Sequence, residues 1–330
     1  MGPTHIRSLA VIGSGIAGLT IARETTGQGI QCTVFEKSRG PGGRLSSKRA
    51  EGGVTLDMGA QYFTVYDPRF SQFLKDHHGW NVLQQWDGTL MYETGTGRLQ
   101  TFLPAKRWVG VPRMSALTRQ LATGLDLHTA TPIEQVTRSE EGWWLHSPNQ
   151  KFGPFDAVVS TAPPAQTAGL IPWEQNMTRR LGAFAMTPCW AVALGFAEAT
   201  GLDYDGIKTR HEVIDWAACN SDKPDRSAGH MAQWWVVHAT PEWSRQHQDD
   251  SPDEVIQAVG DAFCQRLGVA VKPQTAMAHR WLYARSESPE RPGFLCNDDE
   301  TFAAVGDWLT GGRVEGAWRS ARQLLDHWQL

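Results

Sequence analysis

A short apolar run, Ser8 to Ile12, is cut at once by Gly13-Ser14-Gly15-Ile16-Ala17-Gly18, and this predicts a strand entering a glycine turn. From about Ile16 to Thr26 the apolar positions recur at helical spacing until Gly27 and Gly29 end the pattern. Gln31 to Phe35 predicts a second strand, closed by Glu36, and Ala157 to Thr161 a third that stops at Pro163-Pro164. Near the other end, Phe302 to Val305 predicts a buried strand running into Gly306-Asp307. A helix over Val314 to Trp328 follows, with Ala317, Trp318, Ala321, Leu324 and Leu325 on its apolar side. Residues 166–290 differ in character. Aromatic, strand-like stretches occur at Cys189 to Phe196, His211 to Trp216 and His230 to His238, before a helix over Pro252 to Leu267. Residues 217–229 read as a polar loop and 285–300 as a connection rich in Pro, Glu and Asp.

The first of these patterns carries chemistry. In strand, glycine turn, helix, strand, acid, each part has a physical reason. Gly13 permits the tight turn, Gly15 admits a pyrophosphate close to the backbone, and Gly18 lets the helix pack on the sheet. The helix start offers free N–H groups to phosphate, and Glu36 suits ribose hydroxyls. This context predicts a dinucleotide site and leaves FAD and NAD both open. A second loop follows, Lys37-Ser38-Arg39-Gly40-Pro41-Gly42-Gly43-Arg44, which sets Arg44 beside the phosphates. Asp307, just past a strand, suits a polyol hydroxyl. The helix start at Val314 suits a ring that becomes anionic on reduction. A flavin meets both demands, whereas a nicotinamide dinucleotide has no ribityl chain for Asp307.

Composition narrows the classes further. A chain of 330 residues suggests two domains and needs no disulfide staple. With 41% hydrophobic residues it is neither disordered nor collagen-like, and a net charge of -4 gives no general attraction to nucleic acid. No apolar run is long enough to span a bilayer, and the apolar opening carries three glycines and no cleavage-like sequel. Five widely spaced cysteines suit a reducing cytoplasm. No HExxH, spaced Cys/His cluster, GxSxG or redox CxxC is present, so no metal site is expected. No second GxGxxG is present for a separate nicotinamide domain.

At this point the chain resembles the FAD enzymes of the flavin amine oxidase superfamily, through Gly13 to Gly18, Glu36, Gly42-Gly43-Arg44 and Gly306-Asp307. Within them it resembles the bacterial renalases, through blocks that include Leu56-Asp57-Met58-Gly59-Ala60-Gln61-Tyr62-Phe63, Ser221-Asp222-Lys223-Pro224, His279-Arg280-Trp281-Leu282-Tyr283-Ala284-Arg285 and Gly312-Arg313-Val314-Glu315-Gly316-Ala317-Trp318. Ser320-Ala321 stands where Ser-Gly is usual.

The resemblance implies an α/β fold: a Rossmann-type FAD-binding domain, p-hydroxybenzoate hydroxylase-like, with an inserted mixed-sheet α+β substrate domain. Residues 1–75, 100–165 and 290–330 are expected in the former, and 76–99 and 166–289 in the latter. It implies non-covalent FAD, with Gly13, Gly15, Ile16 and Gly18 at the phosphate turn and Glu36 and Lys37 at the adenosine ribose. Arg44 is implied at the pyrophosphate, Gln61 and Tyr62 near the isoalloxazine, Ile133 at the adenine, Asp307 at the ribityl chain, and Val314 and Glu315 at the pyrimidine end of the ring.

Strand alternation places His279, Trp281 and Tyr283 on one face, and Trp234 and His238 on another, as two walls of a substrate slot. Monoamine and polyamine oxidases present a lysine on the corresponding strand; His279 to Arg285 has none. A dihydronicotinamide, whose ring nitrogen is fully substituted, yields its hydride without a general base. The renalase resemblance accordingly implies oxidation of the 1,2- and 1,6-dihydro isomers of NAD(P)H by hydride transfer to flavin N5, with O2 reduced to hydrogen peroxide and no catalytic side chain beyond the flavin. Oxidation of a primary amine or polyamine, and a flavin-binding redox sensor without turnover, are the alternatives.

Overall fold

The computed structural model describes residues 6–330; residues 1–5 of the first expected segment lie outside them. A six-stranded sheet runs in the order Phe294–Cys296, Phe302–Val305, Ala157–Ser160, Ser8–Ile12, Gln31–Phe35 and Asp126–His128. All of its pairings are parallel except that of Phe294–Cys296 with Phe302–Val305. Its central strands are apolar throughout because both faces are covered. Leu9 and Val11 pack toward the helices Ile16–Gly27 and Val314–Trp328, while Ala10 and Ile12 pack toward Trp143, Leu145 and Trp308. The first strand therefore lies between one from the middle of the chain and one that follows it in sequence. This is the switch point at which open α/β sheets bind ligands beyond their strand ends. Ala321 is fully buried in the same core, so its methyl group fills space there.

A seven-stranded sheet forms the second layer system, in the order Thr275–Ser286, Met186–Phe196, Gln233–Ala239, Ile214–Cys219, Gly206–Lys208, Leu90–Glu93 and Leu99–Thr101. It is mixed, since Gly206–Lys208 runs parallel to Leu90–Glu93 and the other pairings are antiparallel. One face is covered by the helix Pro252–Leu267, whose start is closed by a reciprocal Ser251–Glu254 capping box. The other face lies on Val54, Leu56 and Met58 of the first sheet's unit. That contact joins the two units and positions the site.

The expected boundary at residue 99 needs correction, because Leu99–Thr101 pairs with Leu90–Glu93 and completes the second sheet. The polar loop expected at 217–229 is also altered. Its first residues belong to the strand Ile214–Cys219, and Asn220, Lys223 and Arg226 are buried. All five cysteines are free, and burial pushes the Cys296 thiol up to about 12, which makes it a packing residue. Among the described residues, no helix is long and apolar enough to cross a membrane.

Candidate functional site

The glycine turn is built as its sequence demands. Gly13 adopts a positive φ of 102°, and its N–H donates to the Phe35 carbonyl at 2.8 Å. A Cβ on Gly18 would collide with the Gly13 carbonyl, so the helix closes on the turn only with glycine there. Gly15 is different. It caps the helix Ile16–Gly27 with ordinary backbone angles, and nothing lies within 4 Å of where its Cβ would be. Neither this helix nor Val314–Trp328 has a side-chain cap, so both starts present free N–H groups.

Glu36 is buried and holds the two loops together. Its carboxylate accepts from the N–H and hydroxyl of Ser14 at 2.9 and 2.7 Å, and from the Ser38 N–H at 2.8 Å. A carboxylate has about four acceptor sites, so capacity for a ribose hydroxyl is left. Lys37 is exposed and reaches toward Gln166, and Ile133 is half-buried against the Phe35 side of the sheet.

Arg44 and Asp307, expected at the pyrophosphate and the ribityl chain, form a bidentate ion pair, with one contact at 3.0 Å. Arg44 also donates to the Ala284 carbonyl at 3.0 Å, which brings in the Thr275–Ser286 strand. Val314 opens its helix as expected. The Glu315 side chain turns elsewhere: it accepts from the N–H groups of Tyr66 and Asp67 at 2.6 and 3.1 Å and from Arg319 at 2.9 Å. Only the backbone of Glu315 is left to face a ring.

Gln61 is similarly committed. Its amide nitrogen donates to the carbonyls of Asp57 and Gly59, and its oxygen accepts from Lys223 Nζ at 2.9 Å. Tyr62 lies in an aromatic group with Trp86 and Trp216 at ring separations of 6.1 and 5.9 Å, under the Arg107 guanidinium at 5.6 Å. Just outside, an open cleft of about 530 Å³ is lined by Trp86, Lys106 and Arg107.

The two expected substrate walls are brought together in part. His238 Nε2–H and Trp281 Nε1–H donate to the Met58 carbonyl at 3.1 and 2.9 Å, and His279 meets the edge of Trp281 at 4.4 Å. Trp234 is a correction. It is buried among Leu56, Met58 and Met231, and its indole N–H donates to the Ala228 carbonyl at 3.1 Å. The period of two puts it on the His238 face, but that face at Trp234 is closed by the other unit. Tyr283 is half-buried between exposed Leu282 and half-buried Ala284, so the alternation of His279, Trp281 and Tyr283 holds as far as Tyr283. The residues 187–189 face 281–285, so a bulge interrupts the pairing opposite it.

Both histidines are neutral. Burial lowers His238 to about 4, with Arg285 adding to the shift, and burial with Lys48 lowers His279 to about 4. Lys223, absent from the sequence-derived site, lies behind Gln61 in full burial. Burial pushes it down to about 8 against the opposing attraction of Asp57. Burial alone would raise Asp57, but Lys223 and Arg226 outweigh that and hold it below the usual carboxylate range.

The arrangement fits FAD on its own evidence: two uncapped helix starts, open space at Gly15, and Gly43 set against the Gly15 Cα. Comparisons with known proteins agree. Residues 11–77 match the NAD(P)-binding Rossmann-like domain, and residues 77–324 match the family described as flavin containing amine oxidoreductase.

Cyclohexylamine oxidase from Brevibacterium oxydans superimposes with a TM-score of 0.75 at 12% identity, covering 99% of this chain and 100% of that one. A CLA-producing fatty acid isomerase from P. acnes gives 0.75 at 13% identity with full coverage of both. At such identities the likeness is one of fold. A bifunctional protein of tRNA 5-methylaminomethyl-2-thiouridine biosynthesis from Magnetococcus marinus is 30% identical over 202 residues, 48% of this chain. The match spans 30% of that relative's length. With three quarters of its length matched by one family and the glycine turn, Arg44 and Asp307 converging on one place, this chain belongs to the flavin-containing amine oxidoreductases, with FAD as its cofactor.

Proposed function

We propose that the enzyme is an FAD-dependent oxidase of dihydronicotinamide nucleotides, taking the 1,2- and 1,6-dihydro isomers of NAD(P)H to NAD(P)+ with O2 as acceptor. The observation that carries this reading is the uncharged and only weakly basic character of the His238–Trp281–His279 surface. His238 spends its Nε2–H on the Met58 carbonyl, and both imidazoles stay neutral down to about pH 4. Lys223 is locked between Gln61 and Asp57.

When bound, the flavin supplies a hydride acceptor that O2 reoxidises with release of hydrogen peroxide. The chain's part is orientation. Gly15 and the start of the Ile16–Gly27 helix receive the pyrophosphate. Arg44 would donate to phosphate oxygens and Asp307 would accept from ribityl hydroxyls, and Val314 and Glu315 would offer the backbone of the helix start to the ring. His279 and Trp281 offer flat edges to a planar donor, and a donor with a fully substituted ring nitrogen asks for no proton acceptor. The renalase-like blocks at Leu56 to Phe63 and His279 to Arg285 support the same assignment.

Amine oxidation is the second reading, favoured by the fold shared with cyclohexylamine oxidase and by a lysine that burial brings to about 8. Anaerobic single-turnover mixing separates the two. Rapid bleaching of the flavin by the dihydronicotinamide isomers, with none by primary amines or polyamines, supports the proposal; the reverse pattern replaces it. A flavin that bleaches with neither donor class points to the redox-sensor alternative.

A further inference from the structure

Asp57, Lys223 and Arg226 have side chains fully closed from water, and together they hold one carboxylate against two cations. Arg226 contacts Asp57 Oδ2 through Nη2 at 2.7 Å and Nε at 3.2 Å, and Lys223 Nζ stands at 3.4 Å from the same oxygen. Oδ1 is taken by the Ser47 hydroxyl at 2.7 Å and the Met114 N–H at 3.0 Å. Lys223 is nearer to the neutral Gln61 oxygen, at 2.9 Å, than to the carboxylate.

Of the groups near Lys223, the Trp86 ring at 5.7 Å, His238 and the Cys219 thiol, which burial pushes up to about 12, carry no negative charge. Asp222, next in sequence, leans on Trp86 and is raised by burial and by Asp205 beside it. Arg113, on the far side of Arg226, is lowered by burial and by Arg119, Arg49 and Arg226 around it. Among the described residues, no second carboxylate bonds to Lys223 or Arg226.

One uncompensated positive charge is therefore buried against the Gly59–Tyr62 segment. Leaving a charge buried without its counter-ion is strongly unfavourable, so this is an arrangement that needs a compensating anion. A hydride brings two electrons and one proton, so the isoalloxazine that accepts it gains one negative charge. We propose that Lys223, backed by Arg226 and held through Gln61, is a positioning residue that stabilises this negative charge and so raises the reduction potential of the bound FAD. The inference rests on the isoalloxazine lying at Gln61 and Tyr62, and it holds for a dihydronicotinamide or an amine donor alike. In a dry interior, attraction between such charges is weakly screened.

The test uses the holoenzyme. Lys223→Met leaves Asp57 paired with Arg226, so the buried network becomes neutral, while Lys223→Arg keeps its charge. The expected result for K223M is a lower midpoint potential and roughly tenfold weaker binding of sulfite, an anion that adds to oxidised flavin. K223R should stay within about twofold of the parent. The gap in potential between parent and K223M should also narrow above about pH 8, where Lys223 loses its proton. Unchanged potential and sulfite affinity in K223M that retains FAD overturn the proposal.

Arg226→Gln serves if K223M does not retain FAD, because it removes the other cation and leaves Lys223 with Asp57. A potential and sulfite affinity in R226Q that match those of the parent likewise overturn the assignment. A parent protein that binds no flavin fails earlier, at the placement of the ring.

Discussion

His238 and Trp281 donate to the same backbone oxygen, the carbonyl of Met58, from strands that are not neighbours. The strand Met186–Phe196 lies between theirs, so the shared acceptor pins two separated strands of the second sheet to one point of the first unit. Either donor alone keeps that carbonyl satisfied. Replacing Trp281 by Phe or His238 by Phe should each cost about 1 kcal/mol, whereas the double variant leaves a buried acceptor unpaired and should cost more than the sum. Urea unfolding of the four proteins measures the coupling, and simple additivity would contradict it.

Acid should weaken the fold well before its carboxylates titrate. His238 and His279 titrate at about 4 in the folded chain and near 6.5 when unfolded. Between those values the unfolded chain binds protons that the folded chain excludes. Stability is therefore complete above pH 6.5 and falls as the pH drops toward 4, by up to about 3 kcal/mol for the enclosed His238 and by less for His279, whose charge water partly screens. Denaturation midpoints taken along this range should decline, and His238→Gln should flatten the decline.

The two glycines of the turn should fail differently. Gly18→Ala forces a methyl group into the Gly13 carbonyl and should destabilise the protein with or without cofactor, by about 2 kcal/mol or more. Gly15→Ala adds its methyl to open space, so the cofactor-free protein should melt as the parent does. Its FAD affinity should nevertheless fall by roughly tenfold or more, because the backbone can no longer approach the phosphates. Calorimetry of the apoprotein and fluorescence titration with FAD give the two readouts.

Asp307→Ala should free Arg44 and loosen FAD by about tenfold, the weight of one or two charge-assisted hydrogen bonds. Because Arg44 also holds the Ala284 carbonyl, Arg44→Ala should increase hydrogen exchange along the end of the Thr275–Ser286 strand as well. Equal exchange in parent and variant would show that the contact does not anchor that strand.

Much of this architecture is legible from pattern alone where the pattern is local. Ser8–Ile12, Gln31–Phe35, Phe302–Val305 and the helices Pro252–Leu267 and Val314–Trp328 fall on their expected residues, since each shows one clear period between strong breakers. The flavin follows from two such segments at opposite ends of the chain.

What fails is whatever depends on distant partners. Asn220, Lys223 and Arg226 spell a solvated loop, and only Asp57, 166 residues before Lys223, reveals why they are buried. Trp234 has the right parity for the slot, yet Leu56 and Met58 from the other unit cover it. The bulge opposite Tyr283 is set by the partner strand and leaves no trace in its own alternation. Gln61 and Glu315 stand where the motifs put them, but their side chains serve the chain's own backbone.

The ion pair between Arg44 and Asp307 also has a temporal consequence. The two residues stand 263 positions apart, and the second arrives with the last strand of the six-stranded sheet. A nascent chain leaving the ribosome exposes its glycine turn early but lacks Asp307 and the Val314 helix until at least the 263 positions from Arg44 to Asp307 have been added. The two halves of the cofactor grip are therefore separated in time, and the second closes only after the intervening strands have been made.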